Sequence, residues 1–301
     1  MDRLKDLLAI IDRDRLLTDE LMKKHTTFRV GGPADFYAMP SSIEEIKGLV
    51  AYCKDTNLPY YIVGNGSNLL VGDKGFRGLI IQVGRNLSDI SVDGETVTAY
   101  AGALLSKVAQ VILSNELTGF EFAAGIPGTV GGAVRMNAGA YGGEIKDILA
   151  EADVLDNEGN VLTLTNEELK LSYRSSVVSE KGYVVLKAVF KLEKGNRDDI
   201  KAVMDDLKDR RVTKQPLEFA SAGSTFKRPE GYFAGKLIED AGLRGFNVGD
   251  AEVSCKHCGF VVNKGNATAK DIVDLVDYVI KTVEDKFNVT LEPEVRRIGE
   301  F

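Results

Sequence analysis

The 301-residue chain, 44% of it hydrophobic, is long enough to form two or three domains of ordinary size. Its formal net charge of −7, with no long basic stripe, argues against a general nucleic-acid-binding protein. No apolar run approaches the roughly 20 residues that a membrane helix needs. The opening sequence, MDRLKDLLAIIDRDRLL, is charged throughout, unlike a signal peptide, so we expect a cytoplasmic protein with no membrane insertion.

The cysteine content indicates a reducing compartment and no metal site. The chain has three cysteines and two histidines. Cys255 and Cys258 have the C-x-x-C spacing, but a structural zinc site needs four ligands and no second pair is present. We therefore predict no bound metal and interpret these two residues as buried or half-buried thiols in a strand.

The first elements of the chain are predicted to be a helix and a small β-α-β unit. An amphipathic pattern at the N-terminus predicts a helix packed on the body of the protein, with its apolar face formed by Leu4, Leu7, Leu8 and Ile11. Ser42, with Glu45 three residues later, predicts a capping box. The apolar pattern that follows predicts a helix that ends before a strand at Tyr60.

The strand at Tyr60 runs directly into a glycine-rich loop, Gly64-Asn-Gly-Ser-Asn68. Successive backbone N–H groups of such a loop, with the side chains of Asn65, Ser67 and Asn68, form a concave set of donors suited to a diphosphate. The loop is not a Rossmann fingerprint, because Leu69 stands where the third glycine belongs and a strand-like run follows. A bare β-turn remains the alternative interpretation.

A second α+β unit is predicted after this loop. Its elements are a strand at 79–83, a hairpin at 91–101, a helix at 104–115, a hairpin turning at Asn157-Glu-Gly159 and a strand at 183–192. A boundary at 195–199 precedes a third unit, with a helix at 200–211 and a long helix at 269–287 capped by Thr268.

The stretch 124–143, AGIPGTVGGAVRMNAGAYGG, places seven glycines in twenty residues. Glycine is favoured where the backbone takes positive φ or where a ligand lies directly against the main chain. The apolar residues between the glycines, together with Pro127, indicate a loop held rigid by packing. The stretch is therefore predicted to be a ligand cradle, with a tight corner of a β-rich fold as the alternative.

Seven motifs, in order, resemble those of the UDP-N-acetylmuramate dehydrogenase family, also called UDP-N-acetylenolpyruvoylglucosamine reductases. The resemblance covers about 25–298 and is carried by HTTFRVGGPA (25–34), VGNGSNL (63–69), GIPGTVGG (125–132), NAGAYG (137–142), YRSS (173–176), AGSTFK (222–227) and PEVR (293–296). Seven motifs together are far more specific than either glycine-rich loop alone.

The resemblance implies an α+β protein with a vanillyl-alcohol-oxidase-like (PCMH-type) FAD-binding fold. It implies an N-terminal helical segment (1–20), two FAD-binding subdomains (21–77 and 78–195) and a C-terminal α+β substrate-binding domain (196–301). The implied reaction is NADPH-dependent reduction of UDP-N-acetylglucosamine enolpyruvate to UDP-N-acetylmuramate in peptidoglycan synthesis, with non-covalent FAD as the cofactor. The preference for NADPH over NADH rests on the resemblance alone, and the oligomeric state is not readable from the sequence.

The family's catalytic residues correspond to Arg174, Ser224 and Glu294. A planar guanidinium at Arg174 suits the carboxylate on which charge grows during hydride transfer. Ser224 matches the proton donor, and a serine hydroxyl serves as an acid only for a strongly basic intermediate. Glu294 matches the glutamate that supports the intermediate, acting as an acid if burial raises its pKa.

The two glycine-rich loops supply the expected cofactor contacts, which are Gly64, Asn65, Gly66, Ser67, Asn68, Leu69, Gly125, Ile126, Pro127, Gly128, Gly132 and Gly139. The expected substrate contacts are Tyr141, Lys227, Arg228 and Arg296, since arginine suits phosphate forks and lysine a point contact. Only fifty positions separate Arg174 from Ser224, so the chain resembles the shorter family type, which lacks the loop that closes a tyrosine over the substrate. We expect Arg228 and neighbouring residues to cover the diphosphate.

Two other functions remain open at this point. A flavin oxidase of the same fold commonly tethers FAD through a His or Cys, and no such residue lies in a glycine-rich loop here. A nucleotide-binding regulator that has lost catalysis is the second alternative, for which Ser224 and Glu294 would be dispensable.

Overall fold

The structure is a computed structural model, and it describes residues 2–301. Its helices are α1 (Arg3–Leu7), α2 (Ile43–Asp55), α3 (Leu105–Ser114), α4 (Val130–Arg135), α5 (Asn166–Leu169), α6 (Val177–Lys181), α7 (Arg197–Lys214), α8 (Ala234–Asp240) and α9 (Ala269–Phe287).

Most strands are short. They are β1 (Leu16–Leu21), β2 (Pro33–Ala38), β3 (Tyr60–Val63), β4 (Leu69–Val71), β5 (Phe76–Gln82), β6 (Ile90–Asp93), β7 (Thr96–Tyr100), β8 (Leu117–Thr118), β9 (Gly139–Ala140), β10 (Gly143–Glu144), β11 (Leu149–Leu155), β12 (Val161–Thr165), β13 (Val184–Lys191), β14 (Glu193–Lys194), β15 (Ala220–Ser221), β16 (Asn247–Val248), β17 (Ala251–Val253), β18 (Val261–Asn263) and β19 (Arg296–Ile298). One four-stranded sheet has the order β1-β2-β5-β3.

The chain divides into two compact units, each built from separate stretches of sequence. Unit 1 comprises residues up to Leu17, Tyr37–Asn65 and Leu79–Arg211, and unit 2 comprises Thr18–Phe36, Gly66–Gly78 and Val212–Phe301. The four consecutive segments expected from the sequence stay a prediction.

Unit 1 is organised around a five-stranded antiparallel sheet with the order β12-β11-β13-β7-β6. Helix α4 packs on β13 and β7. In the same unit β3 lies parallel to β5, with Tyr60 opposite Leu79 and Val63 opposite Gln82. Because β13 is buried along most of its length and α4 packs on it, the part of the second glycine-rich stretch that forms α4 is held by a packed core.

Unit 2 contains a four-stranded antiparallel sheet, β15-β18-β17-β16, covered by α9. The apolar positions of α9 recur at helical spacing and are buried at Ile272, Leu275, Val276, Val279 and Val283. Thr268 caps this helix in a reciprocal box with Asp271, and Asn288 ends it with φ 54°. The predicted helix and cap are therefore confirmed. A separate parallel pair, β4 and β19, also belongs to unit 2.

Two local predictions need correction. Ser42 does cap α2, but the reciprocal half of the box is absent: the Glu45 carboxylate instead accepts from Ser41 N at 2.7 Å and pairs with Arg15. The N-terminal helix extends only over α1. Residues Leu16–Leu21 form the strand β1 because they pair with β2 in the four-stranded sheet. Leu7 and Ile11 are nevertheless buried, as the amphipathic pattern indicates.

The thiol prediction is partly wrong. Cys258 is buried but Cys255 is exposed, and both lie in the turn between β17 and β18. The Ser254 hydroxyl accepts from the backbone N–H groups of Lys256 and His257 at 3.1 and 3.3 Å, which bends the chain away from the strand. Separately, no helix within residues 2–301 is long and apolar enough to span a bilayer.

Candidate active site

The two glycine-rich segments predicted to bind a cofactor meet in unit 1. The Asn65 side-chain amide donates to the carbonyl oxygen of Pro127 at 2.9 Å. At Gly64 a Cβ atom would overlap the hydroxyl oxygen of Thr129. Gly64 is therefore needed for the close approach of the Thr129 side chain rather than for positive φ, and the two glycine-rich segments lie against each other.

Only part of the stretch 124–143 is a loop. Thr129 caps the short helix α4, and Gly139–Ala140 pairs with Gly143–Glu144 in a tight hairpin. Tyr141 and Gly142 form the tip of this hairpin with φ values of 53° and 94°, as a type I′ turn requires. Close contacts explain two further glycines of the stretch: a Cβ at Gly143 would lie 2.7 Å from the Phe122 ring, and a Cβ at Gly139 would lie 2.8 Å from the Glu144 side chain.

A cavity of about 240 Å³ lies next to these segments in unit 1. It is lined by Tyr60, Tyr61, Ile62, Val63, Gly64, Val83, Ala101, Thr129, Gly131, Gly132, Arg135, Val178, Gly182, Tyr183, Val184 and Val185. Since ligand pockets typically measure about 300–1,000 Å³, this cavity suits one portion of a dinucleotide rather than the whole.

The cavity lining fits a bound nucleotide. A Cβ at Gly132 would meet no atom closer than the Thr129 hydroxyl at 3.7 Å, so the missing side chain leaves room at the cavity wall. Tyrosine rings and aliphatic side chains line the rest, with Arg135 as the charged group of the described lining. Apolar walls with a few placed polar groups are typical of cofactor sites.

The remaining predicted cofactor residues of unit 1 are not among the described residues that line the cavity. The Arg211 guanidinium donates to the Gly125 carbonyl, and Gly128 O accepts from Leu105 N at 3.1 Å. Ile126 N donates to Ala123 O at 3.0 Å, which tightens the turn before Pro127. Gly139 pairs with Glu144 at the base of the hairpin.

The second half of the first loop belongs to unit 2. Gly66 has φ 61° and its carbonyl accepts from Thr27 N at 3.2 Å, while Ser67 is half-buried. Within the described residues, the Thr27 hydroxyl is buried without a hydrogen-bond partner. A buried polar atom beside a predicted phosphate loop fits the approach of a polar ligand.

Asn68 and Leu69 connect this loop to the predicted catalytic glutamate. The Asn68 side-chain amide donates to the Glu294 carbonyl at 3.2 Å, and Arg296 N donates to the Asn68 carbonyl at 3.1 Å. Leu69 lies opposite Arg296 in the parallel pair β4 and β19. The structure therefore brings two motifs together that are far apart in the sequence.

Ser224 lies beside Glu294 through a second set of backbone bonds. Glu294 N donates to the Thr225 carbonyl at 2.8 Å, and Lys227 N donates to the Glu292 carbonyl at 2.8 Å. Ser224 is exposed and Glu294 half-buried, whereas the intervening Thr225 is buried. Unit 2 thus presents the predicted proton donor and the predicted glutamate on adjacent segments.

Two of the predicted substrate cations of unit 2, Lys227 and Arg228, have side-chain partners within the protein. The Lys227 ammonium pairs with Glu292 at 2.8 Å and keeps the pKa of the Glu292 carboxyl below its ordinary value. The Arg228 guanidinium stacks on the exposed Phe233 ring, 4.1 Å from its centroid. Both contacts lie at the surface, where exchange for an anionic ligand has a small cost.

Arg174 belongs to unit 1, at the tip of a tight turn. Ser172 N and Ser175 N each donate to the other residue's carbonyl at 3.1 Å, which closes the turn around Tyr173 and Arg174. Arg174 has φ 55°, and its guanidinium lies 5.0 Å from the centroid of the exposed Tyr173 ring.

Comparison with known proteins identifies the family. A model of the C-terminal domain of UDP-N-acetylenolpyruvoylglucosamine reductase matches residues 215–298, and a model described as FAD binding domain matches residues 34–165. The UDP-N-acetylenolpyruvoylglucosamine reductase of Clostridium novyi (strain NT) is 56% identical over 98% of this chain and 96% of its own length. The chain belongs to the UDP-N-acetylenolpyruvoylglucosamine reductase family. The relative of the same name in Agathobacter rectalis is 58% identical, over 95% of each chain.

Solved structures agree with this family assignment. The crystal structure of the reductase from Thermus caldophilus superposes with a TM-score of 0.80 at 37% identity, covering 92% of this chain and 97% of that one. A grass pollen allergen with glucose dehydrogenase activity reaches a TM-score of 0.51 at 15% identity, covering 65% and 45% of the two chains. At that identity the second likeness shows the fold alone.

Family membership confirms several predictions made from the sequence. The PCMH-type fold, the FAD cofactor and a flavin-dependent oxidoreductase are confirmed, and the oxidase and regulator alternatives are not favoured. The roles of individual site residues stay predictions. Sequence reasoning did not assign Gly131, Arg135 or Asn137, although all three lie within or beside the quoted motifs.

Proposed function

We propose that this protein catalyses the NADPH-dependent, FAD-mediated reduction of UDP-N-acetylglucosamine enolpyruvate to UDP-N-acetylmuramate, a step of peptidoglycan synthesis. The observation that carries the proposal is the similarity, over 98% of the chain, to a reductase named for that enolpyruvyl sugar. A cytoplasmic location, where NADPH and nucleotide sugars are both available, is part of the proposal.

Residues of both glycine-rich segments would hold the cofactor. Gly64, Gly132 and the surrounding cavity would hold part of FAD in unit 1, and the loop from Gly66 to Asn68 supplies backbone donors for a diphosphate. When bound, FAD accepts a hydride from NADPH and supplies it to the enolpyruvyl group of the substrate.

Arg174 binds the carboxylate of the enolpyruvyl group. Negative charge develops on this carboxylate and its neighbouring carbon as hydride arrives at the terminal carbon. A guanidinium offers two parallel N–H donors to a carboxylate and stabilises this charge without moving. The placement of Arg174 at a turn tip, outside the buried core, supports such a contact.

Ser224 donates the proton that completes the reduction. Its hydroxyl is exposed on a segment that is held by the main-chain bond from Glu294 N to the Thr225 carbonyl, 2.8 Å long. Glu294, on the adjacent segment, supports the same intermediate. Tyr141, Lys227, Arg228 and Arg296 complete the proposed contacts to the UDP-sugar.

The two half-reactions test this proposal. The purified protein is reduced anaerobically with NADPH, excess NADPH is removed, and UDP-N-acetylglucosamine enolpyruvate is added while flavin absorbance is followed. Recovery of the oxidised spectrum is the expected result. A flavin that NADPH reduces but the enolpyruvyl sugar does not reoxidise would contradict the proposed substrate.

A further inference from the structure

The turn that carries Arg174 is anchored by a buried side chain from the glycine-rich stretch. Asn137 is fully buried, and its side-chain amide donates to the Ser172 carbonyl at 3.2 Å. Ser172 is one end of the turn that presents Arg174. Because the turn's own bonds join only its two ends to each other, an outside contact is needed to fix its orientation.

The same amide also anchors the hairpin that carries Tyr141. Asn137 Nδ2 donates to the Glu144 carboxylate at 2.8 Å, and Glu144 lies opposite Gly139 at the base of that hairpin. The Asn137 side-chain oxygen, Oδ1, accepts from Lys146 N at 2.9 Å. One buried amide therefore joins two turns and the segment after the hairpin.

The charge at Glu144 strengthens this anchor. A hydrogen bond from the Lys146 ammonium, the Asn137 amide and the charge of Arg174 all lower the pKa of the Glu144 carboxyl. The carboxylate is thus ionised near neutral pH, and a hydrogen bond to an ionised acceptor is stronger than one between neutral groups.

The backbone of Asn137 shows that the residue is held in place. Its φ is 43°, in the left-handed region that asparagine tolerates better than most residues but that still disfavours side chains. Its backbone N–H donates to the Val134 carbonyl at 3.2 Å, and Asn137 lies two residues after the last residue of α4. The anchor is therefore continuous with the helix that lines the cavity.

The other end of the turn is tied to the same helix. The Ser176 hydroxyl donates to the Arg135 carbonyl at 2.7 Å, and Ser176 is fully buried. Ser172, at one end of the Arg174 turn, and Ser176, the residue after its other end, are thus bonded to Asn137 and Arg135 near the C-terminal end of α4.

We infer that Asn137 is a positioning residue that fixes the Arg174 turn and the Tyr141 hairpin relative to the predicted flavin cradle. The inference rests on the proposed role of Arg174 in binding the enolpyruvyl carboxylate. Displacement of a catalytic group by about 1 Å lowers a rate by about 10²-fold, so loss of this anchor affects the step in which Arg174 takes part.

The test compares Asn137→Gly with Asn57→Gly. Glycine accepts the left-handed backbone, so Asn137→Gly removes the amide without adding strain. Asn57 also has a positive φ, 51°, but is exposed just after α2 and serves as the matched control. Flavin content, flavin reduction by NADPH and flavin reoxidation by the enolpyruvyl sugar are measured for both variants, with thermal unfolding as the check on folding.

We expect Asn137→Gly to slow reoxidation by about 10- to 100-fold while flavin content and reduction by NADPH stay near those of the unaltered protein, because NADPH has no enolpyruvyl carboxylate for Arg174 to bind. The control should leave all three unchanged. Equal slowing of both half-reactions, or unchanged reoxidation in Asn137→Gly, would overturn the inference.

Asn137→Asp provides a second, size-conserving variant with a signature of its own. The introduced carboxyl would face Glu144, with Lys146 and Arg174 as the nearby cations, and two carboxylates in contact share a proton as the pH falls. A shared proton restores a donor, so reoxidation by this variant should become faster from pH 8 to pH 5.5 relative to the unaltered protein. A pH profile parallel to that of the unaltered protein would count against the inference.

Arg174→Met separates the two possible failures. If Arg174→Met slows reoxidation and Asn137→Gly does not, the positioning role is wrong and the proposed function stands. If Arg174→Met leaves reoxidation unchanged, the role of Arg174 in the proposed function is wrong, and with it the inference.

Discussion

The two parts of the predicted catalytic machinery are held in place in different ways. In unit 2, Ser224 and Glu294 lie on segments joined by main-chain bonds, among them Glu294 N to Thr225 O and Arg296 N to Asn68 O. In unit 1, the turn carrying Arg174 is oriented by the side chains of Asn137 and Ser176. Main-chain bonds survive most substitutions, whereas a side-chain anchor is lost with one. The position of Arg174 is therefore the more vulnerable to mutation.

Among the variants that test this comparison, the largest loss of rate is expected for Ser224, the proposed proton donor of unit 2. Ser224→Ala should slow flavin reoxidation by the enolpyruvyl sugar by about 10²- to 10⁴-fold, the range for loss of a general acid. Flavin reduction by NADPH should be unaffected. Stopped-flow absorbance measures both steps.

Ser221→Ala is the matched control for this change, since Ser221 lies three residues earlier in β15. A Ser224→Ala protein that turns over at the full rate would remove Ser224 from the proposed mechanism. It would also make the main-chain framework of unit 2 a purely structural feature.

Two glycine variants in unit 1 should distinguish a glycine that is required for close packing from a glycine that leaves space for the cofactor. Gly64→Ala forces a Cβ onto the Thr129 hydroxyl and should lower the free energy of unfolding by about 1–3 kcal/mol. Gly132→Ala lies within α4, where alanine is favoured over glycine by about 0.5–1 kcal/mol.

The Gly132→Ala variant should therefore fold at least as well as the unaltered protein and yet bind FAD more weakly, because its Cβ occupies the cavity wall. Chemical denaturation and FAD titration by flavin fluorescence measure the two quantities. Equal FAD affinity in Gly132→Ala and the unaltered protein would show that this part of the cavity does not contact the cofactor.

In unit 2, a side chain can be altered without moving the catalytic segments. Thr225→Val leaves Val261 N–H without its acceptor in a buried site, which should lower the free energy of unfolding by about 1–2 kcal/mol. Because the Thr225 carbonyl still accepts from Glu294 N, the reoxidation rate should change by less than about threefold, an effect below 1 kcal/mol. If reoxidation were tenfold slower, the catalytic segments of unit 2 would depend on a side chain as the Arg174 turn of unit 1 does, and the contrast between the two units would be wrong.

The smallest effect concerns acid stability. The pKa of the Glu144 carboxyl is lowered in the folded protein, chiefly by the Lys146 ammonium. The ionised carboxylate therefore contributes its full stabilisation above the unfolded pKa of about 4.3, and this stabilisation is lost as the pH falls through the folded pKa. Between pH 6 and pH 3 the melting temperature should therefore fall less in Glu144→Gln than in the unaltered protein. Glu193→Gln, in the exposed strand β14, is the control and should follow the unaltered protein.

Local signals predicted the elements that depend on local interactions. The helix α9 was predictable because Thr268, its apolar spacing and its length all lie within one continuous stretch. The turn at Asn157 and Gly159 was predictable for the same reason. The end of the N-terminal helix was not, because Leu16–Leu21 becomes a strand through pairing in a sheet whose other strands lie further along the chain.

The residues of the site were predictable from the sequence, but the contacts that hold them in place were not. The motif resemblance named Ser224 and Glu294, yet their adjacency depends on backbone bonds between segments about seventy positions apart, which no local pattern encodes. Asn137 lay inside a quoted motif, but its role depends on burial and on the Ser172 carbonyl. A lone asparagine in a glycine-rich stretch is more often interpreted as a turn residue.

The parallel pairing of β4 with β19 also constrains the order in which the protein forms during synthesis. Leu69, at the end of the predicted phosphate loop, finds its partner Arg296 only among the last residues of the chain. Contacts between such distant positions form late and slow the folding of a domain. A nascent chain on the ribosome therefore lacks this support for the predicted phosphate loop until the segment around Arg296 has been synthesised, so capture of the flavin by the finished loop follows the synthesis of that segment.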